Sequence, residues 1–148
     1  MTSNNLRIDT GTIRLTVNDD PNRVVRFNPG DVAFAEKFYT LLREFEGKQK
    51  EYQARAAALD ADTSTDDLGL PANLGAGIAF LREICTYLRQ KIDDLFGAGT
   101  SDAAFEDAMT LEMFDQFFSG ITPYFQQART QKMTRYLNNN LAGKGMGE

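Results

Sequence analysis

The residues in this chain that could do chemistry are mainly carboxylates, because the sequence contains no histidine and a single cysteine. Three adjacent acidic pairs could act as general acids or bases, namely Asp66 with Asp67, Asp93 with Asp94 and Glu106 with Asp107. Neighbouring side chains on a helix diverge by about 100°, so the members of a pair do not converge on a substrate. The lack of histidine also excludes nucleophiles activated by His. We therefore predict no catalytic residues and no enzyme activity.

Sequence patterns for metals and cofactors are equally weak. Zinc needs several Cys or His ligands, and Cys85 is more simply interpreted as core filler. The segment from Asp60 to Asp66 imitates a calcium loop, with oxygen-bearing side chains at alternate positions. The imitation fails because Thr65 stands where a sharp turn needs Gly, and Pro71 stands where a bidentate Glu should close the site. We predict no metal and no cofactor.

The composition is that of a soluble globular protein. The 148 residues are 42% apolar and 25% charged, and this length suits one domain. No apolar run reaches the roughly 18 residues that a membrane span needs, and the first residues lack a signal-peptide pattern. The sequence therefore predicts a cytoplasmic protein without a membrane partner. Its net charge of −5 disfavours nucleic-acid binding by the whole surface.

The C-terminal part of the chain is basic, in contrast to the rest. No acidic residue lies between Asp115 and Glu148, whereas Arg129, Lys132 and Arg135 recur at intervals of three. That spacing places the three cations on a common helix face. Three cations without a recognised motif make a small footprint for nucleic acid, so an acidic helix of a protein partner fits this face better.

The N-terminal residues predict a β-hairpin over about residues 6–27. Apolar residues alternate with polar ones at Ile13, Leu15 and Val17, which is the period of a half-buried strand. The segment "DDPN" at 19–22 offers turn chemistry, with Pro21 presetting its backbone angle. The apolar segment "RVVRF" then predicts the second strand.

The rest of the chain is predicted to be helical. Asn28 is the expected N-cap of the first helix and Pro29 its first residue, while Gly120 and Pro123 are expected to separate the last two helices. The predicted helices cover about residues 29–59, 74–96, 102–119 and 123–141, followed by a flexible tail at 142–148. The predicted fold is a single α+β domain over 1–141, mostly helical, with the hairpin packed on a bundle of four to five helices.

A surface for a partner protein is expected near the C-terminal end. The last helices hold more rings than one narrow stripe needs, so some of the rings are candidates for contact with a partner helix. The predicted contact residues are Phe117, Phe118, Tyr124, Phe125, Arg129, Lys132, Arg135 and Tyr136. The alternative left open is that these rings form the core of a small bundle.

The first third of the chain resembles a known family. The segment from Leu6 to Glu46 looks like the N-terminal region of tail assembly chaperones from long-tailed, siphovirus-type phages and prophages of Gram-positive bacteria. In that family a strand ending in an Asn turn is followed by an apolar strand, an Asn-Pro-x-Asp helix start and spaced Phe residues. The matching residues are Asn18, Phe27, Asn28, Pro29, Asp31, Phe34 and Phe38.

The resemblance implies a viral chaperone without catalytic residues. Such proteins bind the tape measure protein, a very long helical protein, and keep it soluble while tail-tube subunits polymerise around it. They are absent from the mature virion. The major tail protein and a longer, frameshifted form of the chain are further candidate partners, and a homo-oligomer is left open.

Two other functions remain as alternatives at this point. One is a structural phage tail or connector subunit, which would be present in many copies in the virion. The other is a small nucleic-acid-binding regulator, which would depend on the three cations near the C-terminal end. A helical interaction domain of unrelated origin would show none of these properties.

Overall fold

The computed structural model describes the backbone of residues 4–146 and the side chains of residues 4–128. In that part of the chain a two-stranded antiparallel sheet is followed by four helices. The elements are β1 (Ile13–Val17), β2 (Asp20–Phe27), α1 (Val32–Asp60), α2 (Leu74–Phe96), α3 (Thr100–Phe105) and α4 (Leu111–Met146). The fold is α+β and mostly helical, which confirms the predicted fold class.

The turn of the hairpin is tighter than the sequence predicted. Val17 pairs with Asp20, so the loop consists of Asn18 and Asp19, whose φ angles are 52° and 60°. Two consecutive positive φ angles are the mark of a type I′ turn, which matches the twist of paired strands. The predicted turn at "DDPN" is wrong, because Pro21 lies within β2, beside an irregularity in the register.

The hairpin is also shorter than predicted at its N-terminal side. β1 begins at Ile13, whereas extended structure was expected from about residue 6. Gly11 has a φ of +85°, and its N–H donates to the carboxylate of Asp9 at 2.9 Å. This local bonding competes with strand pairing, and Leu6 and Ile8 are left exposed.

A tight corner joins β2 to α1. The N–H of Asp31 donates to the carbonyl of Asn28 at 3.1 Å, and the Asn28 amide donates to the carbonyl of Thr10. The N-cap of α1 is Asp31, whose carboxylate accepts from the N–H of Ala33 at 2.9 Å. The prediction that Asn28 caps the helix and Pro29 opens it is therefore wrong, because these residues form the turn before the cap.

Helix α2 has the predicted bounds, from Leu74 to Phe96. Asn73, which directly precedes α2, makes no side-chain capping hydrogen bond. Its side-chain amide donates instead to the carbonyl of Leu59 and, at 3.3 Å, to that of Asp62. Asn73 thus ties the start of α2 to the end of α1.

The predicted helix at 102–119 is in fact two helices, α3 and the start of α4. Helix α3 ends at Phe105 because Glu106 has a φ of 54°, outside the helical region. The guanidinium of Arg23, from β2, donates to the carbonyls of Ala103 and Ala104 at 2.8 and 2.9 Å. A cation at the carbonyl end of a helix is favourable, so β2 stabilises this break.

Helix α2 holds the other end of α3. The carboxylate of Asp93 accepts from the N–H of Ser101 at 2.8 Å and from the Ser101 hydroxyl at 3.0 Å. Arg89 donates to the carbonyls of Ser101 and Glu106. A six-residue helix that could not persist alone is thus fixed by side chains of α2 and β2.

Helix α4 is continuous through Pro123, so the predicted break between 102–119 and 123–141 is wrong. A proline inside a helix costs about 3 kcal/mol, but Ile121 and Phe125 pack into the same core from either side of it. The helix continues to Met146 and includes most of the predicted tail at 142–148; residues 147 and 148 lie outside the described residues. In the described range, no helix is both long and apolar enough to cross a membrane.

The core consists of two connected clusters. One joins α1, α2, α3 and the start of α4, and the other packs the hairpin against α4. Phe96, Phe117 and Phe118 contact both clusters. Cys85 is 1% exposed in the first cluster, which confirms its predicted place in the core, and its burial raises the pKa of the thiol.

Candidate functional site

The four rings predicted to bind a partner pack against other aromatic rings of the fold. Phe125 stacks on Phe38 and Phe27 with centroid distances of 4.6 and 5.5 Å, and Phe117 meets Phe96 edge-on at 5.3 Å. The four residues are Phe117, Phe118, Tyr124 and Phe125, and all are half-buried. They attach α4 to the hairpin and to α2, and their partner-binding role stays a prediction.

The other four predicted contact residues lie farther along α4. They are Arg129, Lys132, Arg135 and Tyr136. Their backbone is helical, but their side chains lie outside the described residues. Their role in partner binding therefore also stays a prediction.

Helices α1 and α2 run antiparallel, and charged side chains cover one side of their contact. Arg55 pairs with Glu83, and its guanidinium lies 4.5 Å from the ring centroid of Phe80. Lys91 pairs with Glu44 at 3.0 Å. The hydrogen bond from Arg55 lowers the pKa of Glu83, and the one to Glu44 raises the pKa of Lys91. This side of the contact is polar.

The other side of the same contact is an open apolar groove, which we call the α1–α2 groove. It runs between residues 49–60 of α1 and 74–84 of α2, with Leu111 of α4 beside it, and its volume is about 540 Å³. Its floor consists of Tyr52, Phe80 and Ile84, each no more than 8% exposed. The only charged residue that lines it within the described part of the chain is Asp60.

The rim of the groove continues the apolar stripe of α2. Leu74, Ile78 and Leu81 are 43%, 57% and 47% exposed and follow the helical spacing i, i+4, i+7. The later residues of the same stripe, Cys85, Leu88 and Ile92, are buried in the core cluster shared with α3 and α4. Half of one helix face is therefore covered, and the other half is bare in the described part of the structure.

The loop between α1 and α2 adjoins the groove and is acidic. Asp60, the last residue of α1, and the loop at 61–73 together contain four aspartates and no lysine or arginine. Asp62 accepts hydrogen bonds from the hydroxyl and the N–H of Ser64 at 2.6 and 3.0 Å, and these bonds lower the pKa of Asp62. Asp66 accepts hydrogen bonds from two backbone N–H groups. Asp60 and Asp67 have no side-chain hydrogen bond or ion pair with any described residue. These two carboxylates remain open to a partner.

A second apolar surface, the α1 N-terminal patch, consists of Val32, Tyr39 and Leu42. Their exposed fractions are 66%, 57% and 45%. Arg43 donates to the Tyr39 hydroxyl at 2.9 and 2.6 Å, and its guanidinium lies 5.1 Å from the centroid of that ring. A cation thus covers part of this patch, whereas no lysine or arginine lines the described α1–α2 groove.

The acidic pairs identified in the sequence do not converge. Asp93 binds the start of α3, while Asp94 accepts from the side-chain amide of Gln90 at 2.8 Å. Glu106 pairs with Arg23 at 3.3 Å. Among the residues whose side chains are described, no group of three or more His, Cys, Asp or Glu could hold a metal ion.

The groove residues were not among the predicted contact residues. Helical periodicity assigns Leu74, Ile78 and Leu81 to the core, because they share their spacing with residues that are buried. The sequence signal that sets them apart is Gly75 and Gly77 beside them, where an added Cβ would meet nothing within 4 Å. Gly75 and Gly77 carry no side chain, and the large apolar side chains of the loop, Leu68 and Leu70, are themselves exposed.

Comparison with known proteins places the chain in a family. The model of a family of unknown function, DUF6673, matches residues 22–146, which cover most of β2 and all four helices. No curated protein and no solved structure matches the chain.

Proposed function

Because the chain belongs to the DUF6673 family of unknown function, we propose its role from the resemblance of its first third and from its own surfaces. The protein is a tail assembly chaperone of a long-tailed phage or prophage. It binds apolar helical segments of the tape measure protein and keeps that protein soluble while the tail tube assembles. It catalyses no reaction.

The α1–α2 groove is the observation that carries this proposal. A bare stripe at i, i+4, i+7 beside a buried aromatic floor is the kind of surface that receives an amphipathic helix. Contiguous apolar surface is rare on soluble monomers unless it serves binding. An apolar helix of the client could contact both the buried floor and the exposed rim of this groove.

The residues that carry the resemblance build the scaffold rather than the groove. Asn18 lies in the hairpin turn, and Asp31 caps α1. Phe27 and Phe34 lie 6.4 Å apart and both stack on Phe125. A shared scaffold with a client-specific surface elsewhere is consistent with a binding protein.

The described carboxylates support binding over catalysis. Asp93 is used to hold Ser101, and Asp66 bonds the backbone of its own loop. Two open carboxylates are Asp60, which lines the apolar groove, and Asp67, which lies in the adjoining loop. Such groups can select a cationic partner.

The proposed place of action is the cytoplasm of the bacterial host. A net charge of −5 keeps the free chaperone soluble while its groove is empty. The chaperone leaves when the tail tube covers the tape measure protein, so it is absent from the finished virion.

Co-expression with the tape measure protein tests the proposal. The chain carries an affinity tag and is expressed with overlapping fragments of the tape measure protein encoded near it. We expect at least one fragment, insoluble when expressed alone, to become soluble and to co-purify with the chain. The proposal fails if the purified chain is folded by circular dichroism but retains no fragment.

Two further measurements separate the alternatives. Mass spectrometry of purified virions would find a structural tail or connector subunit in many copies, whereas the chaperone is expected to be absent. Binding to nucleic acid that weakens with salt and is lost when Arg129, Lys132 and Arg135 are replaced by Gln would identify a regulator.

A further inference from the structure

The chemistry of the α1–α2 groove identifies the kind of helix that it can hold. Resting on the proposed function, we propose that the groove binds an amphipathic helical segment of the client that carries lysine or arginine at one end. The apolar face of that segment lies on α1 and α2, and its basic end lies against Asp60 and the acidic loop at 61–73.

The length of the groove sets the length of the bound segment. Its α1 side extends from Gln49 to Asp60, a rise of about 16 Å, or three helical turns. Two or three apolar side chains of the client would contact Leu74, Ile78 and Leu81 and would reach the floor between them. A helix with apolar residues at i, i+4 and i+7 meets this requirement.

The charge around the groove sets the direction of the segment. Asp60 lines the groove, and Asp67 lies in the adjoining loop; neither has an ion partner among the described residues. The cations on the opposite side of the α1–α2 contact are already paired, Arg55 with Glu83 and Lys91 with Glu44. A basic end is therefore attracted to the loop, and an acidic end is repelled from it.

The α1 N-terminal patch lacks this combination. It exposes Val32, but Arg43 covers the ring of Tyr39, and this cation would repel a basic segment. This difference makes Val32 a matched control for Ile78, because both are exposed β-branched residues on helices.

Two synthetic peptides test the inference with the full-length protein. Both are helical and share the same apolar positions, but one ends in lysines and the other ends in glutamates. Fluorescence anisotropy is expected to show that the lysine peptide binds roughly fivefold or more tightly, and that this preference shrinks as salt is added. Equal affinities, or binding of neither peptide by the folded protein, would overturn the inference.

Variants locate the binding surface. Ile78→Asp is expected to weaken binding of the lysine peptide roughly tenfold or more, because it places a desolvated charge on the apolar contact. Val32→Asp is expected to change nothing, and Leu81→Gln provides a milder groove variant if Ile78→Asp does not fold. The double change Asp60→Asn with Asp67→Asn should remove the preference for lysine and retain apolar binding.

Other results would assign the groove differently. Equal losses in Val32→Asp and Ile78→Asp would overturn the groove as the specific site. If sedimentation shows that the wild type is a dimer and that Ile78→Asp is a monomer, the groove binds a second copy of the chain and the inference is overturned. A tape measure fragment that co-purifies equally with wild type and Ile78→Asp would keep the proposed function and refute the groove. If the peptides bind as expected but no tape measure fragment co-purifies, the groove stands as a helix-binding site and the proposed function is refuted.

Discussion

The hairpin end of the molecule and the α1–α2 groove differ in how far their apolar residues are covered. Phe27, in the hairpin, is 4% exposed and contacts rings from α1, α2 and α4. Ile78, in the groove, is 57% exposed although it lies on an equally regular apolar stripe. At the hairpin end β2, α1, α2 and α4 all contribute rings, whereas the groove is lined by α1, α2, two residues of the loop between them and the first residue of α4. Topology, more than hydrophobicity, decides which apolar residues become core.

The charged residues follow the same division. At the hairpin end Arg23 and Asp93 are used to hold the two ends of α3. At the groove, Asp60 and Asp67 have no such use among the described residues. Arg23 and Asp93 are therefore engaged within the chain, whereas Asp60 and Asp67 are open to a partner.

The largest expected effect comes from the aromatic cluster. Phe27→Ala should lower the free energy of unfolding by about 3–5 kcal/mol, because it leaves a cavity among four rings. Its control, Ile78→Ala, should cost less than about 1 kcal/mol, since most of that side chain is already in water. Urea unfolding followed by circular dichroism measures both. Similar costs for the two variants would refute the contrast between the two ends.

An intermediate effect is expected at Asp93. Asp93→Ala should lower the free energy of unfolding by about 1–3 kcal/mol, because it leaves the buried Ser101 N–H and hydroxyl without their acceptor. The neighbouring change Asp94→Ala removes a hydrogen bond with exposed Gln90 and an exposed charge near Lys91, and it should be close to neutral. A loss at Asp94 that equals the loss at Asp93 would show that α3 is not fixed by this hydrogen bonding.

The sequence predicts the regular parts of the fold well and its corners poorly. The bounds of α2 follow directly from periodicity and the terminating Gly97. The cap of α1 was assigned to Asn28 instead of Asp31. Both residue types are good caps, and the choice between them depends on the residue at which β2 ends and on the turn that follows it. The continuity of α4 through Pro123 depends on tertiary packing, which local propensity does not contain.

The candidate site shows a further limit of sequence reasoning. Periodicity identifies Leu74, Ile78 and Leu81 as apolar helix positions but does not say whether another element reaches them. That depends on the short length of α3 and on the point at which α4 begins, both of which were predicted wrongly. Because the bounds of α3 and α4 were predicted wrongly, the exposure of this part of α2 was not predicted.

The smallest effect is expected on the polar side of the α1–α2 contact. Arg55 lowers the pKa of Glu83, so the pair stabilises the fold above the unfolded pKa of about 4.3 and loses this contribution as the pH falls through the lower folded pKa. Glu83→Gln should therefore flatten the acid side of the stability profile slightly, whereas Glu46→Gln, which removes no ion pair between described residues, should leave it unchanged. Thermal melts from neutral pH to about pH 3 test this, and identical profiles for wild type and Glu83→Gln would contradict it.

Protection of a single thiol tests most directly whether the groove is the client surface. Cys85 is 1% exposed, so a maleimide should react chiefly with a cysteine introduced by Ile78→Cys or, in the control, by Val32→Cys. Saturation with the co-purifying tape measure fragment should slow labelling of Ile78→Cys roughly tenfold or more and leave Val32→Cys unchanged. Unchanged labelling at Ile78→Cys while the fragment is bound, or protection at Val32→Cys alone, would contradict the account.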